Sequence, residues 1–305
     1  MTKSTNAIIE LYNVSKKFGT FTAADTLTFT ISEGEIVGFV GENGAGKTTT
    51  INMLLGFTSP SQGSVKLFGQ VVKPGSAHKS HRHIGYASGD MALPERMTGE
   101  QYVQFVMAQT PGDHSKRYRE LTTAFKPQSS KNIGDMSRGN KQKIALIAAF
   151  VTNPKLVILD EPTSGLDPVM QDVFLDTVRA MAARGATVFM SSHYLQEVAE
   201  VSTRVLLMKQ GRIMEDLSAE QLTQRGGKIV TLTTTRAVTL PKTHVVTPVS
   251  GRRGEHYETS FGFTGDLSVL VKWLGGVTGV IDVTINDRTL EHEFRSVYES
   301  EVGNE

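Results

Sequence analysis

The sequence contains no cysteine among its 305 residues, and this absence excludes two classes of site. Neither a disulfide framework nor a thiolate metal centre can form, which fits a reducing compartment. No run of about 18 apolar residues occurs, so we expect no membrane-spanning helix. The stretch MTKSTNAIIELYNVSKKF lacks a long apolar core, so we predict no signal peptide.

The sequence also lacks an excess of charge of one sign. Its 32 basic and 31 acidic residues give a net charge of +1. Proteins that bind nucleic acid usually carry a strong basic surface, so we expect no nucleic-acid partner. With 39% hydrophobic and 21% charged residues, the composition is that of a folded chain with one large domain or two ordinary ones.

Apolar strands alternate with amphipathic helices from Ala7 to about Glu215, a pattern that is typical of an α/β domain. The predicted strands include TLTFTI, EIVGFVG, KLVILDE and ATVFMSSH. The run KLVILDE suits a parallel strand that is covered on both faces. A predicted helix over Val169–Arg184 ends at Gly185, a candidate C′ glycine.

The segment from about Met91 to Lys131 has a helical and polar pattern. Thr98 and Gln101 form a capping-box pattern at the start of a predicted helix. The helix then carries three apolar or aromatic positions that would face the core or a partner: Tyr102, Phe105 and Val106.

The composition shifts around Asp216–Gly227, and a linker boundary is predicted near Arg225–Gly227. Short alternating strands follow, such as GKIVTLTT and HYETSFGF. The remaining predicted elements are a helix with a core stripe of Leu267, Leu270, Val271 and Leu274, a strand with Ile281, Val283 and Ile285, and a last helix with Leu290, Phe294 and Val297. The pattern predicts a small α+β domain over 218–305, after a larger domain over 1–217.

A glycine-rich motif, G-x-x-x-x-G-K-T, lies at Gly41–Thr48, between the predicted strand EIVGFV and a predicted helix. This context identifies a phosphate-binding loop. The glycines let backbone N–H groups turn toward phosphates, and the helix start adds a favourable dipole. Lys47 would reach the β- and γ-phosphates, and Thr48 would bind Mg²⁺. The alternative is a chance glycine-rich turn.

Two acids, Asp160 and Glu161, end the predicted strand KLVILDE. Ligands bind at the carboxyl ends of strands in open α/β sheets. Asp160 would hold Mg²⁺, directly or through water, and Glu161 would accept a proton from an attacking water. The alternative is a pair of solvated turn residues, and the phosphate loop earlier in the chain favours the functional interpretation.

In this order the motifs resemble the ATP-binding subunit of an ABC transporter, over about residues 7–215. GENGAGKTT resembles the family's phosphate loop, with Glu42 where proline is commoner, and LDEPTSGLD resembles the Walker B strand and the loop to Asp167. The resemblance implies that His193 of SSH contacts the γ-phosphate and that Phe18 stacks on adenine. The alternatives are a structural histidine at a strand end and a core phenylalanine.

The stretch DMSRGNKQKIALIAAF is similar to the family signature L-S-G-G-Q. Ser137 and Gly139 are kept, whereas Arg138 and Asn140 replace a Gly and the Gln. Such variants resemble the branch that exports drugs, antibiotics and peptides. In the family this motif completes the ATP site of the other subunit, which implies a homodimer, or a dimer with a paralogous ATPase subunit, around two ATP molecules. A basic patch for nucleic acid is the alternative.

One family motif is absent. In the family a Gln normally follows a strand that reads like IGY. In this sequence the segment IGYASGDM has Gly89 at that position and Asp90 at the next. The family residue helps to hold Mg²⁺ and the attacking water. Either Asp90 substitutes for it, or water fills the place and hydrolysis is slow. We favour slow hydrolysis, and the sequence then predicts that Gly89→Gln raises the basal rate.

The resemblance implies a P-loop ABC-type ATPase fold with a helical insertion at about 91–150 and a β-rich edge, plus a small C-terminal α+β domain. The implied function is ATP hydrolysis that powers export through a separate integral membrane permease, on the cytoplasmic side of the membrane. The implied catalytic residues are Glu161, His193 and Lys47, and the metal ligands Thr48 and Asp160. The implied ATP-binding residues are Phe18, Gly41, Asn43, Gly44, Ala45, Gly46, Lys47, Thr48, Thr49, Ser137 and Gly139.

Two other functions remain open at this stage. One is a soluble ABC-type ATPase acting on nucleic acid or ribosomes, although such proteins usually carry two ATPase domains or a long coiled coil. The other is a non-catalytic nucleotide sensor, which Gly89 suggests and which the presence of Glu161 and His193 disfavours.

Overall fold

The computed structural model of the chain describes residues 6–75, 77–90, 92–221, 227–241 and 243–288. The predicted last helix through Leu290, Phe294 and Val297 lies outside the described residues, as does most of the predicted linker boundary. The chain divides into two compact units, Met1–Leu217 and Ser218–Glu305.

The first unit alternates strands and helices, as its sequence pattern predicts. Its strands are β1 (Ala7–Phe18), β2 (Phe21–Ser32), β3 (Ile36–Val40), β4 (Gln62–Leu67), β5 (Gln70–Val71), β6 (Ile84–Ser88), β7 (Leu156–Asp160), β8 (Thr187–Ser192), β9 (Arg204–Lys209) and β10 (Arg212–Ser218). Its helices are α1 (Lys47–Leu54), α2 (His78–His81), α3 (Gly99–Ala108), α4 (Ser115–Phe125), α5 (Arg138–Phe150), α6 (Pro168–Ala183) and α7 (Leu195–Ala199).

The central sheet has the strand order β10-β9-β3-β8-β7-β6. The pairs β3–β8, β3–β9, β7–β8 and β6–β7 are all parallel. Every residue of β3, β7 and β8 is buried, because both faces of a parallel sheet are covered. The carboxyl ends of these strands therefore meet at one edge, where the phosphate loop, the two acids and His193 follow.

A second sheet, in the order β2-β1-β4-β5, forms the β-rich edge of this unit. The positions Leu27, Phe29 and Ile31 of β2 are all buried, as their alternation predicts. Phe29 lies 6.3 Å from the ring of Phe39 in β3 and 6.2 Å from that of Phe189 in β8. These aromatic contacts pack the antiparallel sheet onto the central one, and full burial of such a side chain contributes about 1.5–3 kcal/mol.

The helical insertion begins with the predicted capping box. Thr98 Oγ1 accepts from the Gln101 backbone N–H, and the Gln101 side chain accepts from the Thr98 N–H. The buried apolar residue of α3 is Val103 (1% exposed), whereas Phe105 is 56% exposed. Of the two predicted surroundings of Phe105, the core or a partner, this exposure excludes the core, because the helix turns Val103 inward.

Helix α5 carries buried apolar residues, and α6 follows its predicted pattern. In α5 the residues Ile144, Ile147 and Ala148 are buried. In α6, Asp167 caps the N-terminus through Met170 N, with Pro168 at the first helical position. Gly185 follows the helix with a φ of 92°, as predicted for a C′ glycine.

The second unit is a four-stranded sheet with one described helix. Strands β11 (Gly227–Thr234), β12 (Val245–Arg253), β13 (His256–Phe263) and β14 (Val280–Arg288) lie in the order β12-β13-β11-β14, and the helix α8 spans Leu267–Gly275. Its buried core is Val230, Leu232, Phe261, Phe263 and Leu270.

The predicted core stripe of α8 is only partly correct. Leu270 is buried, but Leu267 and Val271 are 48% and 56% exposed. The helix instead turns Trp273 inward, where its ring meets Phe261 edge-on at 5.5 Å. The inward stripe is therefore Leu270, Trp273 and Leu274, a set with i, i+3, i+4 spacing that also fits a helix.

Candidate functional site

The phosphate loop connects β3 to α1 and is shaped by two glycines. Gly44 and Gly46 have φ angles of 85° and 109°, a region that only glycine adopts at little cost. A Cβ on Gly46 would also overlap the backbone oxygen of Ala23. The loop therefore holds its backbone close to the neighbouring strand and turns directly into the α1 N-terminus, where free N–H groups favour anions.

Lys47 lies under this loop at the start of α1 and is 5% exposed. Its Nζ donates to the backbone oxygens of Gly41 at 2.6 Å and Glu42 at 3.1 Å. The same Nζ lies 3.6 Å from Glu161 Oε1. Burial lowers the pKa of Lys47, and the charges of Glu161 and Asp160 oppose that shift.

Asp160 ends β7 and is 4% exposed. Its Oδ1 accepts a hydrogen bond of 2.5 Å from the hydroxyl of Ser191, its register partner in β8. Burying a carboxylate is costly unless it is hydrogen-bonded, and Ser191 supplies such a bond. The neighbouring strand thus fixes Asp160 Oδ1, and this also orients the second carboxylate oxygen, Oδ2.

Glu161 follows directly and has a φ of 49°, in the left-handed region that non-glycine residues rarely adopt. Its backbone N–H donates to the carbonyl of Ser191 at 3.3 Å and to the Ser191 hydroxyl at 3.1 Å. Its Oε2 lies 3.3 Å from His193 Nδ1, and its Oε1 faces Lys47. The carboxylate therefore lies between an ammonium and an imidazole.

His193 is one residue beyond β8, and its ring packs on Tyr194 at 3.9 Å between centroids. Its loop is tied to the opposite loop by Glu197, whose Oε2 accepts from Thr163 at 2.9 Å and from Ser192 at 3.4 Å. The structure thus brings together four of the predicted residues: Lys47, Asp160, Glu161 and His193.

Other predicted residues lie apart from this cluster. Thr48 is exposed on the first turn of α1. Phe18 is 53% exposed at the end of β1, with Lys16 Nζ 4.9 Å from its ring centroid. Ser137 caps α5 and accepts from the Asn140 side-chain amide at 3.1 Å. Within the described ranges, no hydrogen bond or ion pair joins Ser137 to the phosphate loop of its own chain.

Two contributors were missed by the sequence reasoning. Ser191 holds both Asp160 and Glu161, and Gln142 (3% exposed) donates to the backbone oxygen of Pro162 at 2.8 Å. Gln142 thereby ties the helix of the S-R-G-N motif to the loop after Glu161. The position of Ser191 at the end of the predicted strand ATVFMSSH was a signal that could have identified it.

The loop after β6 carries the residue that departs from the family pattern. Gly89 N–H donates to the backbone oxygen of Asp160 at 2.9 Å. A Cβ on Gly89 would lie 2.9 Å from the backbone oxygen of Glu161 and 3.1 Å from Ser164 Cβ. The Asp90 carboxylate is exposed and pairs with Arg138 Nη2 at 3.1 Å.

The donor set fits Mg²⁺ bound together with phosphate. Across the described residues no group of three or more His, Cys, Asp or Glu side chains could hold a metal ion alone. Mg²⁺ prefers oxygen ligands and is usually bound by one or two protein groups plus phosphates and water. The buried Asp160 carboxylate, fixed by Ser191, supplies a hard oxygen ligand of that type.

Comparisons with known proteins agree with this geometry. Residues 24–164 match the family model described as ABC transporter. The chain is 34% identical over 212 residues to the Nod factor export ATP-binding protein I of Burkholderia lata, covering 68% of this chain and 69% of that one. It is 31% identical to the bacitracin transport ATP-binding protein BcrA of Enterococcus faecalis, covering 72% of each chain. A solved ATP-binding subunit of an ABC transporter has a TM-score of 0.67 at 25% identity, covering 72% of this chain and 92% of that one.

Proposed function

The chain belongs to the ABC transporter family and is an ATP-binding subunit with an ABC-type ATPase domain, and from that premise we propose that it closes as a dimer around two ATP molecules and powers a separate membrane permease. The observation that carries the proposal is the position of Glu161 between Lys47 and His193. This arrangement would supply a base, a cation and an orienting group at the edge of the sheet where the carboxyl ends of the strands meet.

Lys47 and the phosphate loop would bind the triphosphate. Lys47 Nζ already bonds two backbone oxygens of the loop, so its stem and head are held in place. A phosphate oxygen could replace one of these two acceptors and would then bind a Lys47 ammonium that is already positioned. The loop N–H groups and the α1 dipole add attraction for the same anion. The other proposed contacts of the loop are Gly41, Asn43, Gly44, Ala45, Gly46, Thr48 and Thr49.

Asp160 and Thr48 would hold Mg²⁺, which when bound neutralises charge on the β- and γ-phosphates. Asp160 can do this because Ser191 donates to its Oδ1, which orients the buried carboxylate. Thr48 is exposed on the first turn of α1, next to Lys47 in the chain.

Glu161 would act as the general base. The oxygen of a water molecule attacks the γ-phosphorus, the bond from that phosphorus to the β–γ bridging oxygen breaks, and a proton of the water passes to the Glu161 carboxylate. ADP leaves with the bridging oxygen. Hydrogen bonds to Ser191 hold the Glu161 backbone in its strained conformation, which fixes the direction of its Cα–Cβ bond.

His193 would orient both the base and the γ-phosphate. With Nδ1 placed 3.3 Å from Glu161 Oε2, His193 keeps Nε2 for other partners. The loop network of Thr163, Ser192 and Glu197 keeps its backbone close to the Glu161 loop.

Ser137 and Gly139 would complete the ATP site of the partner subunit, and Phe18 would stack on adenine. The exposed position of Phe18 and the capping position of Ser137 at an α5 N-terminus support these roles. A dimer is the arrangement in which Ser137, which has no bond to its own phosphate loop among the described residues, reaches a nucleotide.

The proposed partner is a permease on the cytoplasmic side of a membrane, and the proposed direction is export. Every helix in the described ranges is too short or too polar to span a bilayer. Two relatives are named for export of a Nod factor and for bacitracin transport. We propose an exported compound of the drug, antibiotic, peptide or lipid-like class, and an accessory role for a C-terminal domain over 218–305.

Phosphate release by the purified chain tests the role of Glu161. Glu161→Gln should keep ATP binding and lower steady-state hydrolysis by roughly 10²–10⁴-fold, the usual contribution of a positioned base. The variant should accumulate as an ATP-bound dimer, since hydrolysis no longer opens it. Glu100→Gln, on the exposed side of α3, is the matched control. A Glu161→Gln rate within about twofold of the parent would remove Glu161 from this role.

A further inference from the structure

A residue that departs from one family motif contacts the neighbour of a residue that departs from another. Arg138 replaces the first glycine of the signature, and Asp90 follows the glycine that replaces the family's glutamine. Arg138 Nη2 donates to Asp90 Oδ1 at 3.1 Å and to Ser164 Oγ at 2.9 Å. The three side chains, called here the Arg138 bridge, join the start of α5 to the loops that follow β6 and β7.

Both ends of the Arg138 bridge lead to the backbone of the acidic pair. The residue before Asp90 is Gly89, whose N–H donates to the Asp160 carbonyl at 2.9 Å. Ser164 N–H donates to the Glu161 carbonyl at 3.2 Å. The Arg138 side chain is therefore linked to the backbone of Glu161 through Ser164, and to that of Asp160 through Asp90 and Gly89.

The start of α5 also packs closely on the loop after β7. A Cβ on Gly139 would lie 2.6 Å from the Gly165 backbone oxygen. The stem of Arg138 lies over Gly165, where an added Cβ would come 3.2 Å from Arg138 Cγ. The two glycines allow the start of α5 to pack closely on the loop after β7. The hydrogen bonds of Arg138 then fix the direction of this contact.

We propose that Arg138 is a positioning residue for ATP hydrolysis: its bridge to Asp90 and Ser164 fixes Ser137 and Gly139 relative to Glu161 of the same chain. This role rests on the proposed function, in which Ser137 serves the ATP bound by the partner subunit. The Arg138 bridge then links the motif that contacts one ATP to the base that acts on the other. It couples the two sites of the dimer.

The exposure of the Arg138 bridge determines which property it can affect. The side chains of Arg138 and Asp90 are 62% and 91% exposed. Exposed ion pairs contribute little to global stability because water and salt screen them. We therefore expect the Arg138 bridge to affect the relative placement of the two loops. Loss of the bridge should lower turnover about two- to fivefold, which corresponds to the small free energy of an exposed ion pair. The fold and ATP binding to the monomer should be retained.

A competing role for Arg138 is direct contact with a phosphate of the partner's ATP. The two roles differ in what Asp90 does. If Arg138 acts through the bridge, removing Asp90 harms turnover as removing Arg138 does. If Arg138 acts on phosphate, removing Asp90 frees the guanidinium and turnover stays constant or rises.

The test compares steady-state hydrolysis by Arg138→Ala, Asp90→Ala and the double variant. We expect each single variant to lower kcat two- to fivefold with KM within twofold, and the double variant to lose at most twofold more than Arg138→Ala, since both changes break one bridge. Asp90→Glu, which keeps the charge, should restore at least half of the parent rate. Thermal unfolding and ATP binding by the monomer should match the parent.

Asp176→Ala is the matched control, because Asp176 and Arg179 form an exposed ion pair at 2.8 Å within α6. Its kcat should equal that of the parent. The role of the Arg138 bridge would be overturned by an unchanged or higher rate in Asp90→Ala, or by losses that multiply in the double variant. In either case, hydrolysis by the parent would still support the proposed function. No hydrolysis by the parent would overturn both.

Discussion

The hydroxyl of Ser191 donates a hydrogen bond to Asp160 Oδ1 at 2.5 Å and accepts one from the backbone N–H of Glu161 at 3.1 Å. One small side chain on β8 therefore positions both acids at the end of β7. The two strands are parallel neighbours, with Asp160 and Ser191 in register, so the contact is fixed by the sheet.

Replacing Ser191 by Ala should impair both acids. The buried Asp160 carboxylate would lose a hydrogen-bond donor, at a cost of about 1–3 kcal/mol in unfolding free energy. Hydrolysis should fall by roughly tenfold, because about 1.4 kcal/mol of lost positioning corresponds to a factor of ten. Thermal unfolding and phosphate release measure the two effects.

Ser191→Thr is the control for this prediction, since it keeps the hydroxyl and adds one methyl group. It should retain more activity than Ser191→Ala. Equal rates for the parent and Ser191→Ala would show that the hydroxyl does not position the acids.

Replacing Gly89 by Gln should lower hydrolysis, and this reverses the expectation from the sequence alone. A Cβ at Gly89 would lie 2.9 Å from the Glu161 carbonyl oxygen, so the Glu161 loop must shift to admit any side chain. Gly89→Ala should show most of the same loss, because its Cβ makes the same close contact. A Gly89→Gln rate above that of the parent would contradict this argument and favour the family glutamine.

Membrane association should depend on a partner. Expressed alone, the chain should remain in the supernatant after high-speed centrifugation, and with its permease it should sediment with membranes. Phe105 on α3, 56% exposed in the helical insertion, is a candidate contact, so Phe105→Ser should weaken sedimentation without lowering the hydrolysis rate of the isolated chain. Persistence in the supernatant with the correct permease present would favour a soluble ATPase.

Phosphate-loop and strand motifs were predictable from sequence because short-range rules determine them. The pattern G-x-x-x-x-G-K-T between a strand and a helix defines its own backbone, and the apolar run before Asp160 fits the buried strand β7. The capping box at Thr98 is likewise local. Such features depend on neighbours within a few residues.

Contacts between distant segments were not predictable in the same way. Arg138 and Asp90 are 48 positions apart, and nothing in either segment indicates that they meet. The orientation of α3 and α8 was also misjudged, because Val103 and Trp273 compete with other apolar residues for the inward face. Tertiary packing, and not helical period alone, determines which of several apolar stripes is buried.

The mixed dimer of Lys47→Ala with Ser137→Arg tests the central claim most directly, that one ATP site is built from both subunits. In a shared-site dimer, one site of the mixed species carries both changes and the other carries neither. Differently tagged subunits allow the mixed dimer to be isolated before phosphate release is measured. The account predicts that the mixed dimer hydrolyses ATP faster than either variant alone, through its one intact site. A mixed dimer that forms but is no more active than the two variants would contradict it.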